Sequence, residues 1–316
     1  MSTLGGNVAT NAGGLRCAKY GVTRDSVLAL EVVLADGSLI HTGHRTFKGA
    51  AGYDLASLFV GSEGTLGVVV GITVRLKYLS VQSQTLAVFF EDFTTAAAGV
   101  LAVGRLRVQP AIMELLDGAS MEDIDARQQS TLRSRGGALL LIQTDGFGAD
   151  AESAAIIAAM KPLGGRVYAE DPSEAQRLLD LRRHSRGMDA DLDTRVGEDV
   201  AVPRSRLVDY VAATEELAQR NNVNVRVVAH AGDGNLHPTF WIERSTQDGI
   251  KRLNQALDES VELALAMGGT ITGEHGIGQF KLHWLGLEIK PEVRSLQHQI
   301  KALFDPLGIL NPGKAV

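Results

Sequence analysis

The sequence predicts an α+β protein whose larger part is a pair of ferredoxin-like βαββαβ units on one antiparallel sheet. Three observations predict it. Residues 1–82 read as short strands and glycine turns, with no long helical period. Over residues 83–273, short apolar runs alternate with longer segments of helical period. The order strand, helix, strand, strand, helix, strand occurs there twice, which is the ferredoxin-like unit duplicated. Such a pair forms one antiparallel sheet with helices on one face. Residues 274–316 form a third section, a glycine-bracketed loop followed by a helix end and an extended Pro/Gly-rich tail.

Each element has its own warrant. SVLALEVVLADGSLIHTG alternates apolar and polar residues and breaks at Asp36-Gly37, a hairpin signal. GSEGTLGVVVGITVRLKYL gives a glycine-punctuated loop and an apolar strand. In the first βαββαβ unit LAVFF is a strand, TTAAAGVLAVGRL a helix, and PAIMELLD a strand followed by a short helix. GALLLIQTDG is the third strand, ADAESAAIIAAMKPLGG a helix stopped by glycines, and RVYAE the fourth strand. After a helix around residues 173–187 the second unit begins with the strand EDVAVP and the helix SRLVDYVAATEELAQR. VNVRVVAH and HPTFWI are two tightly joined strands, TQDGIKRLNQALDESVELALAMGG is a long helix, and TITG is the last strand. The two copies share no obvious sequence, so the duplication rests on element order.

Composition removes several function classes. At 316 residues, 45% hydrophobic and 22% charged, the chain has the make-up of a globular protein with room for two domains. A net charge of −6 offers no basic footprint for nucleic acid. No apolar run is long enough to span a bilayer. The start, MSTLGGNVATNAGG, has neither the basic nor the apolar region of a secretory signal. The lone Cys17 excludes an internal disulfide and suits a reducing cytoplasm. The expected location is cytoplasmic, with peripheral attachment to an inner membrane as the variant.

HAGDGNLHP, residues 230–238, spends two of eight histidines on one turn. With Asp233-Gly234 as the central turn residues, His230 faces His237 across the hairpin, Cβ atoms roughly 4.5–5.5 Å apart. Two imidazoles so placed can share a metal ion, although two inert, hydrogen-bonded polar residues near a loop read as readily. GGTITGEHGIGQFK shifts that balance. Here Glu274 and His275 follow an apolar strand of the same predicted sheet and point opposite ways in extended chain. Glu274 then completes a His230, His237, Glu274 set, and His275 faces another side of the cavity. Imidazole and carboxylate suit zinc, manganese or iron.

STLGGNVATNAGGLRCAKYG holds five glycines and two asparagines, a composition that lets backbone N–H groups approach an anion. It is neither a Walker loop nor a Rossmann fingerprint. By composition alone it reads as a turn-rich β segment.

Taken together, GGNVATNAGG, KYGVTRD, GYDL, LFVGSEGTLGVV, EDVAVPRSRL, HAGDGNLHP, GEHGIG and DPLGILNPGK occur in an order that resembles the FAD-linked oxidase family of the vanillyl-alcohol-oxidase superfamily. The branch is similar to D-lactate dehydrogenase, the glycolate oxidase subunit and D-2-hydroxyglutarate dehydrogenase. The resemblance implies an FAD-binding part over 1–82, a cap or substrate domain over 83–273, and an active-site loop with a tail returning to the flavin over 274–316. It places Gly5, Gly6, Asn7, Ala9, Thr10, Asn11 and Gly13 along the flavin ribityl and pyrophosphate. Gly67 and Val68 lie further along the FAD, and Asn311 reaches the isoalloxazine. It makes His230, His237 and Glu274 metal ligands, His275 the catalytic base, and Arg182 the partner of the substrate carboxylate. Arg186, one turn on, and Asn235 are further substrate contacts. The hydroxyglutarate branch has a lysine where Gly197 stands here, which favours a monocarboxylic 2-hydroxy acid or leaves the acid unassigned.

The function expected is FAD-dependent, metal-assisted oxidation of a D-2-hydroxy acid of the D-lactate or glycolate class to the 2-oxo acid. Electrons pass to an electron-transfer flavoprotein, a quinone or a partner subunit, with a homodimer as an option. The family carries a further FAD subdomain upstream of the first motif matched here. A fragment or one subunit of a split flavoenzyme is therefore the alternative. A flavin-independent metallohydrolase is a third reading, which leaves the Asn/Gly segment and the tail without purpose.

Overall fold

The structure, a computed structural model, describes residues 2–46, 48–168, 172–183 and 194–316. The elements begin with α1 (Leu4–Thr10), α2 (Cys17–Tyr20), α3 (Thr23–Ser26), β1 (Val27–Val33), β2 (Leu39–Gly43), α4 (Leu55–Phe59) and β3 (Val68–Val74). There follow β4 (Ser83–Phe90), α5 (Phe93–Arg105), β5 (Ile112–Asp117), α6 (Gly118–Gln128), β6 (Ala138–Asp145), α7 (Ala149–Met160), β7 (Arg166–Tyr168) and α8 (Pro172–Arg183). The remainder is β8 (Arg195–Gly197), β9 (Val200–Ala201), α9 (Leu207–Arg220), β10 (Asn224–His230), β11 (Asn235–Trp241), α10 (Gln247–Ala266), α11 (Leu282–Glu288) and α12 (Pro291–Phe304). The chain divides into two compact units: residues 1–14, 21–78 and 271–316, and residues 15–20 and 79–270.

In the first unit, β2, β1 and β3 form an antiparallel sheet with β1 in the middle. Leu30 and Val32 of β1 are buried while Glu31 between them is exposed, the alternation of a half-buried strand. They join Val8, Phe59, Val60 and Leu66 in a core on which Ile300 and Phe304 of α12 pack. Phe59 and Phe304 meet edge to face, with centroids 5.3 Å apart. The start of the chain departs from the expected turn-rich β segment, because residues 4–26 carry three short helices. The Thr3 hydroxyl caps α1 by accepting from Gly6 N at 3.0 Å, and Asn11 closes it in the left-handed conformation. Val8 is fully buried. Two glycines cost a helix about 1 kcal/mol each relative to alanine, and caps plus burial offset that.

The second unit is built on an antiparallel sheet of order β7-β4-β6-β5-β10-β11-β8, with β9 also on β11. Its left part, β7-β4-β6-β5, is the ferredoxin-like order for β4-α5-β5-β6-α7-β7, with the short α6 inserted between β5 and β6. Its right part mirrors it through β10, β11, β9 and an antiparallel bridge from Ala201 to Thr270. The two copies join between β5 and β10, where Glu114 stands opposite His230. The duplication expected from element order is therefore present.

Three details differ from expectation. TITG contributes one bridge at Thr270 rather than a strand, and residues 273–275 are bends. EDVAVP forms a strand only over β9, with flanking bonds from Glu198 N to Pro238 O and Val202 N to Gly234 O. The helices also do not share one face of the sheet. Gly99 of α5 packs on Phe90, Leu140 and Met160, while α6 and α8 cover the opposite face. There Met121, Ile124, Leu178, Leu179 and Leu181 close over Phe89, Ile112, Leu116, Leu139 and Leu141. The reason lies in the strands: β5 and β6 are buried along their whole length on both faces.

Candidate active site

The histidines sit in the second unit at the end of the β10–β11 hairpin. The register differs from the one a two-residue turn requires. His230 stands opposite Asn235, and His237 opposite Val228, because residues 231–234 together make the turn. The pairing has shifted by two positions, one full strand period, so both imidazoles stay on one face. They are diagonal rather than direct neighbours. Their rings meet edge to face with centroids 5.1 Å apart.

Strand β5 supplies the group that orients them. Glu114 is fully buried, and its Oε1 lies 2.6 Å from His230 Nδ1. An ionised carboxylate only accepts, so Nδ1 carries the proton and Nε2 holds the lone pair that a metal requires. The other Glu114 oxygen lies 2.7 Å from Arg182 Nη2 of α8. Just before β9, Asp199 Oδ1 accepts from Asn235 Nδ2 at 2.8 Å and lies 3.8 Å from His237 Nδ1. Asn235 Nδ2 also donates to Val200 O at 2.8 Å. The two hydrogens of that amide hold the hairpin to residues 199–200.

Arg182 and His237 line a cavity of about 50 Å³ with Ser120, Arg226, Val228 and Thr239. At its edge, Asp117 caps α6 through Ser120 N at 2.7 Å and accepts from Val227 N at 2.5 Å. Burial pushes its carboxyl up from the ordinary value, against those bonds. Arg186 lies outside the described residues. Gly197 ends β8 opposite Thr239.

The remaining predicted groups lie in the first unit. Glu274 and His275 do not point opposite ways as an extended chain requires. In the bend, His275 Nε2 lies 3.8 Å from Glu274 Oε1, with the glutamate side chain 10% and the histidine side chain 46% exposed. Just beyond, the carboxylate of Glu63 accepts from Ile277 N at 2.7 Å and Gly278 N at 2.8 Å. Asn311 Nδ2 donates to the backbone oxygen of the same Glu63 at 2.5 Å.

The residues placed along the flavin divide by environment. Gly5 and Gly6 are exposed in the first turn of α1, and nothing lies within 4 Å of a Cβ built on Gly5. Asn7, Ala9, Thr10, Asn11 and Gly13 continue as a partly exposed ribbon. Much of its backbone is already paired, with Asn7 N donating to Thr3 O, Asn11 N to Val8 O and Glu63 N to Ala9 O, so what a ligand can reach here is the partly exposed outer surface of α1 and the turn after it. Gly67 has a different local reason: a side chain there would run into Val32 and Phe59. Val68 is 53% exposed.

Sequence reasoning missed Glu114, Asp199 and Glu63. The first had a signal, a lone charge within the otherwise apolar run IMELLD. Asp199 had a weaker one, as the second of the two acids that open EDVAVP. Glu63, in GSEGTLG, had none, because its partners are more than 200 residues away in sequence.

Among the described residues, no helix is long and apolar enough to cross a membrane. Residues 80–315 match the C-terminal domain of FAD-linked oxidases, and residues 1–43 match an FAD binding domain. The chain is 41% identical over 319 residues to the glycolate oxidase subunit GlcD of Bacillus subtilis, covering 99% of this chain and 68% of that one. It is 40% identical over 321 residues to a D-lactate dehydrogenase of Archaeoglobus fulgidus, covering 100% of this chain and 70% of the relative. Among solved structures, p-cresol methylhydroxylase with substrate bound superposes with a TM-score of 0.74 at 18% identity, over 99% of this chain and 69% of that chain. The 4-ethylphenol oxidase of Gulosibacter chungangensis gives 0.71 at 15%, over 99% and 70%. Those two likenesses show the fold. The family match over residues 80–315 and the two sequence relatives show the lineage, and this chain belongs to the FAD-linked oxidase family.

Proposed function

We propose that the protein oxidises a D-2-hydroxy acid of the lactate or glycolate class to the 2-oxo acid, with FAD as oxidant and a divalent metal at His230, His237 and Glu274. The observation that carries this reading is the buried imidazole pair with Glu114 on His230 Nδ1. A carboxylate behind a histidine fixes tautomer and ring orientation, the arrangement that metal-ligating histidines use. The relatives named for glycolate oxidase and D-lactate dehydrogenase support the substrate class.

Bound FAD supplies the acceptor for hydride from Cα, and a divalent cation supplies a lowered pKa for the substrate hydroxyl. The protein's own part is to hold and deprotonate. His275 takes the hydroxyl proton on its imidazole as the carbonyl forms, and imidazole titrates near neutral pH, where a general base works best. Arg182, with Arg186, binds the substrate carboxylate through paired N–H groups. Asn235 holds the hairpin to residues 199–200 through its amide hydrogens, and in this reading its amide oxygen accepts from the substrate. In this reading Gly5, Gly6, Asn7, Ala9, Thr10, Asn11 and Gly13 would lie along the flavin ribityl and pyrophosphate, and Asn311 would reach the isoalloxazine. The electron acceptor in this reading would be a partner subunit, an electron-transfer flavoprotein or a quinone.

The test is replacement of His275 by alanine in flavin-loaded protein, with a chelator titration of the unmodified enzyme alongside. The expected result is loss of at least ~100-fold in kcat, the scale of a positioned general base, with flavin and metal content unchanged. Near-normal turnover of His275→Ala rejects the base. Activity that survives complete metal removal rejects the metal.

A further inference from the structure

We infer that Glu63 is the positioning residue for the His275 loop, clamping the backbone that follows the base. This rests on the reading of His275 as base. Three observations on one residue carry it. First, the Glu63 carboxylate accepts two consecutive backbone N–H groups, Ile277 at 2.7 Å and Gly278 at 2.8 Å. Charge-assisted bonds of this kind are about twice as strong as neutral ones. Second, the loop is shaped to receive that carboxylate. Gly276, next to His275, has φ +81°, and a Cβ on it would stand 2.7 Å from Glu63 Oε1. Third, Glu63 is itself over-determined. It is a non-glycine residue at φ +52°, its N–H donates to Ala9 O at 2.8 Å, and its own oxygen receives Asn311 Nδ2. A residue held in a sparsely populated conformation persists where its surroundings impose it, and such residues gather at functional sites.

The neighbouring loop residue adds a further tie. Thr65 O accepts from Lys301 Nζ at 2.7 Å, and the same ammonium donates to Leu310 O at 2.8 Å, just before Asn311. GSEGTLG therefore gathers three stretches that are distant in sequence: the end of α1, the loop after His275, and the tail at Asn311. Apart from Glu63, the segment 276–278 is held through its carbonyl oxygens: Gly276 O accepts from Thr272 Oγ1 at 3.1 Å, Ile277 O from Lys281 N at 3.1 Å and Gly278 O from Ala315 N at 3.2 Å. Glutamine in its place retains one acceptor oxygen and turns an N–H₂ toward the other backbone donor. Its effect should fall between glutamate and alanine.

The experiment compares Glu63→Gln and Glu63→Ala with the unmodified protein in two measurements. Hydrogen exchange of the full chain should rise in the peptide covering residues 272–280, more for alanine than for glutamine, with residues 291–304 of α12 unchanged. In flavin-loaded protein, kcat per bound flavin should fall about 100-fold in Glu63→Gln, the penalty of a reacting group misplaced by about 1 Å, while KM stays within about threefold. In a His275→Ala background the same substitution should cost no further activity. A structural role alone would lower flavin content and leave kcat per flavin intact, and that result overturns the inference. Unchanged exchange over 272–280 in Glu63→Gln also overturns it, because the clamp itself is then absent. An equal loss in the His275→Ala background rejects action through the base. Near-normal turnover of His275→Ala is a separate failure, that of the base reading, and the exchange measurement still reads the clamp.

Discussion

The hairpin that carries His230 and His237 and the loop that carries Glu274 and His275 place their side chains by different means. In the hairpin, strand register does the placing. His230 and His237 lie on paired strands inside a sheet whose neighbours are buried on both faces, and Glu114 arrives opposite His230 through the same ladder. In the loop there is no ladder. Two glycines at φ +81° and +53° bend the chain, and the carboxylate of Glu63 accepts the N–H groups that a strand would have paired. The difference teaches that a ladder tolerates loss of one side chain better than a loop does, whereas a buried charge inside a ladder is costly to disturb.

Substitutions can separate the two. The largest expected effect on stability is on β5, beside the hairpin. Glu114→Ala removes the carboxylate that His230 and Arg182 share, and breaking a buried pair costs about 3–5 kcal/mol. Urea unfolding should show that loss, and metal affinity should fall with it. Glu114→Gln, which keeps an acceptor, should lose less on both counts. If Glu114→Ala is as stable as the unmodified protein, the orienting role of β5 is wrong.

Next comes the loop. Gly276→Ala places a Cβ at φ +81° against Glu63, and strain of that kind costs about 1–3 kcal/mol. The signature is that turnover should suffer more than stability, because the strain is relieved by moving the segment next to His275. A drop in unfolding midpoint with unchanged kcat would contradict the view that this loop places His275 through its contacts with Glu63.

The smallest effect concerns how the second unit holds residues 15–20. Asp145 receives Lys19 Nζ at 2.5 Å and the Tyr20 hydroxyl, with Arg16 at 3.7 Å. Burial pushes its carboxyl up, and the bonds from Lys19 and Tyr20 with the nearby positive charges outweigh it, so it sits below the usual carboxylate range. A carboxylate with a depressed folded pKa contributes stability that is present above its unfolded value of about 3.9 and is lost as pH falls through the folded value. The melting-temperature gap between the unmodified protein and Asp145→Asn should therefore be full at neutral pH and close below about pH 4. A gap that is independent of pH would assign the difference to packing instead.

The motif order and the duplicated βαββαβ unit were legible because they depend on local patterns. Apolar runs such as LAVFF and ALLLIQ announce strands, and Gly268-Gly269 announces the end of α10. Parity along a strand is also local, so the shared face of His230 and His237 survived a turn two residues longer than Asp233-Gly234 suggested. The helical start was not legible, because its glycines argue against helix until Val8 is known to be buried.

By itself, then, the amino-acid order determined the lineage, the element types and the chemistry of the side chains available at the site. Tertiary structure alone decided which residues support them. Glu114 meets His230 across 116 positions, and Glu63 meets Ile277 and Gly278 across more than 200. No periodicity spans such distances. Hydrogen bonds between remote residues are selected when the chain closes on itself, where leaving a buried carboxylate or backbone N–H unpaired costs more than any local preference.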